Sequence, residues 1–122
     1  MQIRNYRDLI VWQKGTVLAR DVYRLSRKFP AFERHGLAGQ VQRAAVSVPS
    51  NIAEGQARKH TKEFRQFLFQ ALGSLAEVDT QLCIAQALDY LDLAEAEGMQ
   101  ERILELRKMI HALIARLPRV KP

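Results

Sequence analysis

Ser50, Asn51 and Glu54 bring a hydroxyl, an amide and a carboxylate together within little more than one helical turn. Asn51 and Glu54, three apart, are neighbours on a helix face. A small polar active site is one reading of the trio. A lone carboxylate, however, lacks the second acid, base or metal that general acid–base chemistry needs. The structural reading weighs more: these groups satisfy backbone freed by Pro49, or Glu54 pairs with Arg43 or Arg58. His35, His60 and His111 fall in separate segments, without the spacing of a zinc site. Cys83 is the one cysteine, which excludes an internal disulfide, and it reads as a small core residue. There is no glycine-rich phosphate loop and no nucleophile elbow. The sequence therefore predicts no enzyme, no metal and no cofactor.

Charge carries more information. Arg58, Lys59, His60, Lys62 and Arg65 crowd into one short stretch. Residues 1–65 hold 13 Lys/Arg against 5 Asp/Glu, whereas residues 66–122 hold 6 against 8, for a formal net charge of +6 overall. A basic half suits a polyanion or an acidic partner. Arg43, Arg58, Lys59, His60, Lys62 and Arg65 are the candidate contacts to RNA or DNA. Such contacts would be mainly to phosphates and sensitive to salt. Few aromatics lie in the basic link, so base stacking is not indicated there. The competing reading is an oligomeric scaffold. In it the basic face meets an acidic protein, or residues 77–105 of a neighbouring copy.

These groups must be positioned by helices. Val11, Gly15, Leu18, Val22, Leu25 and Phe29 step by fours and threes, as do Leu37, Val41, Ala44 or Ala45, Val48 and Ile52. Phe64, Leu68, Ala71, Leu75, Val78, Leu82 and Ala85 continue the pattern, and so do Met99, Ile103, Leu106, Ile110, Leu113 and Leu117. The spacing predicts four helices over about 8–28, 34–55, 62–89 and 93–117, in one domain over 1–122. Joined by short links, they predict an all-α, antiparallel up-down bundle. Asn5 or Arg7-Asp8 can open the first helix, Thr61 can cap the third, and Asp92 with Glu95 has capping-box spacing. Gly36 and Gly39 leave space for a close backbone approach, and Gly73-Ser74 reads as a close-packing point. Arg119–Pro122 read as a frayed tail. No apolar run is long enough to span a membrane, and the start lacks the apolar core of a signal peptide. A reducing cytoplasm and no membrane contact are expected. Apolar surface in excess of one bundle's needs predicts self-association.

The stretch from Gln40 to Gly55 is the joint of the chain. Pro49 removes a backbone donor and predicts a kink, with Ser47 and Ser50 placed to bond freed carbonyls. Gly55 suits a left-handed helix exit. Pro49, Ser50, Asn51, Glu54 and Gly55 form this structural joint.

Leu9-Ile10-Val11-Trp12-Gln13, Phe29-Pro30, the run Arg43–Gly55, Glu63-Phe64, Phe67-Leu68, Gly73-Ser74-Leu75 and Glu77 together resemble the protein family associated with intervening sequences of 23S ribosomal RNA. The resemblance covers about residues 5–117, with Gly15 where alanine is more usual. It implies a four-helix bundle assembling as a five-subunit ring. A related branch comprises basic accessory proteins of diversity-generating retroelements, which implies nucleic acid and a reverse transcriptase as partners. No biochemical activity is implied.

Overall fold

A computed structural model describes residues 5–119. Its four helices are α1 (Ile10–Ser26), α2 (Leu37–Ala57), α3 (Thr61–Ala87) and α4 (Leu93–Arg116). The described residues contain no strand. The expected tail falls partly outside them, at 120–122, as do residues 1–4 of the expected leaderless start.

Each helix buries the stripe that its spacing predicts. Val22, Val41, Val48, Ile52, Leu68, Leu75, Val78, Ile103 and Ile110 are the largest fully buried side chains. Leu113 and Leu117 pack at the edge of this core, half-buried. Cross-helix contacts fix the directions. Gly15 faces Pro49 while Ser26 accepts a hydrogen bond from Gln42, so α1 and α2 run antiparallel. Ser47–Ser74 and Gly55–Phe67 do the same for α2 and α3. Asp79–Arg107 and Arg65–Leu117 do so for α3 and α4.

Helix ends follow local chemistry, with corrections to the sequence reading. Asn5 caps a short 3-10 turn, Tyr6–Asp8, and the α-helix proper begins only at Ile10. Asp92 and Glu95 form the expected capping box. Thr61 is not a cap: it is the first helical residue, and His60 precedes it without a side-chain cap bond. Gly55 is not an exit. Helix α2 continues to Ala57, and the left-handed residue is Lys59, φ 60°. Gly36 begins α2 without a side chain, and Glu33 serves in its place. Its Oε1 accepts from Leu37 N at 3.1 Å, while Oε2 accepts from the Tyr90 hydroxyl at 2.8 Å.

The glycines set the helix spacing. A Cβ on Gly55 would lie 2.5 Å from Phe67 Cβ and 3.1 Å from Phe64 Cδ1, so α2 and α3 touch there. A Cβ on Gly15 would meet Pro49 at 3.4 Å, an ordinary contact. A Cβ on Gly39 would lie 2.9 Å from the carbonyl of Arg34, in the turn just before α2, and one on Gly36 would meet the Glu33 side chain, so neither glycine admits the backbone of another element. Gly73 is exposed with nothing near it, so the packing point is Ser74 alone. Ser74 is buried, its hydroxyl 2.5 Å from that of Ser47. Ser47 also donates to the Ala44 carbonyl at 2.8 Å. With Ser47's single proton spent on that carbonyl, Ser74 is the donor between them.

Helices α1 and α4 meet differently, across a groove. Three ion pairs bridge it: Lys14–Glu105 at 2.8 Å, Asp21–Arg102 at 2.7 Å, and Lys28–Glu95. Cavities of about 420 and 350 Å³ open along the same seam. Burial pushes the Asp21 carboxyl up, but Arg20 and Arg102 together outweigh it and hold its pKa below the ordinary value. The Lys28 hydrogen bond lowers Glu95, and Lys14 lowers Glu105.

One outer stripe of α3, from Phe69 to Ala87, is exposed and largely uncharged, with Glu77 at its edge and Lys62 two turns before it. Phe69, Gly73, Ala76, Thr80, Cys83, Ile84 and Ala87 recur along it by threes and fours. Phe69 is 52% and Ile84 46% exposed. Cys83 therefore does not belong to the core, as the sequence reading had it, but to this outer stripe.

Two outcomes are expected for thermal unfolding. Gly15→Ala should raise Tm by about 4 °C, from a helix-propensity gain of about 1 kcal/mol at a site with room for it. Gly55→Ala should lower Tm, because its methyl group forces α2 and α3 apart at a cost of roughly 1–3 kcal/mol. The seam also makes a pH prediction. Carboxylates with lowered pKa contribute stability above the ordinary value and lose it as pH falls through the lowered one. For Glu95 and Glu105 the ordinary value is 4.5, so Tm should decline as the pH falls below it. Glu95→Gln keeps the capping box but removes the titrating group, and should flatten part of that decline.

Candidate nucleic-acid interface

The register of the bundle decides where the basic residues go. With Gly15 opposite Pro49, five residues back along α1 and five forward along α2 place Ile10 level with Glu54, and the Tyr6–Asp8 turn, whose Arg7 carbonyl accepts from Gln13, folds back beside this end of α2. The Gly55–Phe67 contact sets the start of α3 beside the end of α2. Arg65 Nη2 donates to the carbonyls of Leu117 and Pro118, at 3.4 and 3.1 Å, and so closes the last turn of α4. Arg116 lines a groove with Asp8 to Val11, which returns the circuit to α1. One end of the bundle thus collects Arg7, Arg58, Lys59, His60, Lys62, Arg65, Arg116 and Arg119.

These cations are not equivalent. Arg58 pairs with Glu54 at 3.2 Å and lies 4.0 Å from Glu63. Its guanidinium also covers the Phe67 ring, 5.6 Å from the centroid. It is a fastener of the α2–α3 turn. Arg65 caps α4 carbonyls and keeps its charge. Arg7, Lys59, Lys62, Arg116 and Arg119 are exposed and have no carboxylate partner among the described residues. Lys59 holds the left-handed position that glycine usually takes, at a cost of roughly 1–2 kcal/mol. That placement leaves a cation at the tip of the turn. The first N–H groups of α3 point into the same end without a side-chain cap, which adds positive potential.

Arg43 does not join this cluster. It stands fifteen residues before Arg58 on α2, about 22 Å along the axis. It lines a polar groove between α2 and α3 with Gln40, Ser47, Glu77 and Gln81, whose Oε1 is buried without a hydrogen bond. The joint residues disperse as well. Glu54 turns to Arg58, Asn51 donates to the Ser47 carbonyl at 2.7 Å, and Ser50 is exposed without a side-chain bond. Neither Ser47 nor Ser50 bonds the Ala45 carbonyl, the one that Pro49 leaves without its helical donor. His35, His60 and His111 are all exposed and stay apart. No group of three or more His, Cys, Asp or Glu among the described residues is placed to hold a metal ion.

Arg7, Arg116 and Arg119 are absent from the nucleic-acid contacts singled out in the sequence. The signal was available: an antiparallel four-helix order puts the first helix's start and the last helix's end beside the second link. Aromatic residues arrive by the same route. Tyr6 and Trp12 pack with ring centroids 5.4 Å apart, where the Tyr6–Asp8 turn folds back on the first turn of α1.

Comparison with known proteins agrees with this architecture. A crystal structure from Bacteroides thetaiotaomicron VPI-5482, described as a protein with unknown function from the S23 ribosomal protein family, superposes with a TM-score of 0.78 at 20% identity. The match covers 87% of this chain and 96% of that one, and at this identity it speaks for the fold alone. No curated protein matches the chain. No helix among the described residues is long and apolar enough to cross a membrane. The model of the 23S rRNA-intervening sequence protein family matches residues 7–112, and the chain belongs to that family.

Proposed function

We propose that this protein is a non-enzymatic, self-assembling accessory protein that binds RNA or DNA through the basic end of its bundle. The observation that carries the reading is the convergence of unpaired cations from four segments on one end. A cationic surface of this kind attracts phosphate backbones with little regard to sequence. Binding falls steeply with salt, because each phosphate contact releases condensed counterions.

The proposal extends to assembly. The largely uncharged outer stripe of α3 has the 4–3 spacing of a helix–helix seam. Copies packed through it form a closed ring, of five subunits as the family resemblance implies, with the basic ends multiplied in number. A bend of α2 at Pro49 goes with this reading, since Ala45 has lost its helical donor. The cell compartment that suits an exposed, unpaired Cys83 is the reducing cytoplasm. An oligomeric scaffold docking an acidic protein uses the same cations. It is favoured instead if the chain captures a protein and no nucleic acid after nuclease treatment.

A salt titration of oligonucleotide binding tests the main reading. Replacing Lys59 and Lys62 by alanine should reduce the slope of log K against log salt by about 1.4 for single strands, at roughly 0.7 per phosphate contact. Arg43→Ala, some 22 Å away along α2, should leave the slope unchanged. No binding at low salt would end the proposal. For assembly, Ala76→Glu should lower the mass measured by light scattering while leaving the helical spectrum intact.

A further inference from the structure

The basic end carries something that phosphate binding does not use. Tyr6 and Trp12 form a tilted aromatic pair, and the Arg7 guanidinium lies over both, 5.5 Å from the Trp12 centroid and 6.0 Å from that of Tyr6. Both rings are half-buried while Arg7 is exposed. The arrangement is held from below. Asn5 caps the turn that contains Tyr6 and Arg7, accepting from Arg7 N at 2.7 Å. Gln13 donates to the Arg7 carbonyl at 2.8 Å, and Leu9 beneath is buried. Arg7 is thus a planar cation resting on an aromatic floor, with no carboxylate partner among the described residues. A guanidinium so placed offers its outward surface to another flat π system.

We propose that the Tyr6–Arg7–Trp12 stack is a landing platform for an unpaired base, so that the basic end prefers single-stranded over double-stranded nucleic acid. The inference rests on the function proposed above and adds the class of nucleic acid. A base inside a duplex already stacks on both faces and has none to offer. An unpaired base stacks on the guanidinium plane while its phosphates meet Lys59, Lys62 and Arg116 around the same end. Bases in single strands are recognised in this way, on aromatic rings or on arginine planes. A lysine at position 7 would supply the same charge without the plane.

Trp12 is the one tryptophan of the chain, so its emission reports on the platform alone. The test uses the full chain with a labelled pyrimidine oligonucleotide and with its duplex. Anisotropy reads binding, and tryptophan fluorescence reads contact at the stack. The single strand should bind more tightly and change Trp12 emission, and the duplex should leave the emission as it is. Arg7→Lys keeps the charge; it should weaken single-strand binding about ten-fold and duplex binding by much less. Equal affinities for the two, or a single-strand affinity indifferent to Arg7→Lys, would overturn the platform while leaving phosphate binding in place. Loss of binding to both by the unmodified chain at low salt would remove the basic-end function itself.

Discussion

Helix α2 is held from two sides, with no space left at one of them and room for a methyl group at the other. Gly55 lies against Phe64 and Phe67 of α3, and Pro49 lies against Gly15 of α1. Close backbone approach brings the apolar stripes of three helices within reach of one another, and interior packing at crystal-like density follows. The contacts also fix register. Once Gly15 faces Pro49 and Gly55 faces Phe67, the levels of Ile10, Lys59 and Lys62 are determined, and with Arg65 capping α4 so is the level of Arg116; Arg7 is placed by the turn that folds back on α1. The basic end is a consequence of helix register and not of a local motif.

Buried polarity is handled sparingly. Ser26 and Ser74 are the buried polar residues, and each is matched across a helix interface, to Gln42 and Ser47 respectively. Both matches involve α2, so the central helix carries the polar as well as the steric specification of its neighbours. Ionic contacts lie on exposed surfaces, three of them along the α1–α4 seam and others at the α2–α3 turn and between α3 and α4, where solvated pairs add little energy individually.

Most of the fold was legible in the sequence because the 4–3 spacing of Val, Leu and Ile is a property of each helix alone. The Asp92–Glu95 capping box was legible for the same reason. What depended on tertiary context was not. Gly55 carries the local signature of a helix exit, but its missing side chain is used for packing against Phe67. Cys83 is a small residue of the kind found in cores, yet its place on α3 turns it outward. The site divides in the same way. Lys59, Lys62 and Arg65 are contiguous and visible, whereas Arg7, Arg116 and Arg119 join them only through an antiparallel register. Arg43 looked equally basic, but its position midway along α2 keeps it from the others.

The seam between α1 and α4 has a kinetic consequence. Three long charged pairs here reach over open grooves above the buried Leu18 and Leu106. Such an edge unzips at less free energy than the whole molecule, and native proteins open in such cooperative units. Opening along this edge parts α1 from α4 while the α2–α3 hairpin, with the tightest packing of the bundle, stays closed. The molecule breathes along one longitudinal edge, and salt or acid widens that motion before it unfolds anything.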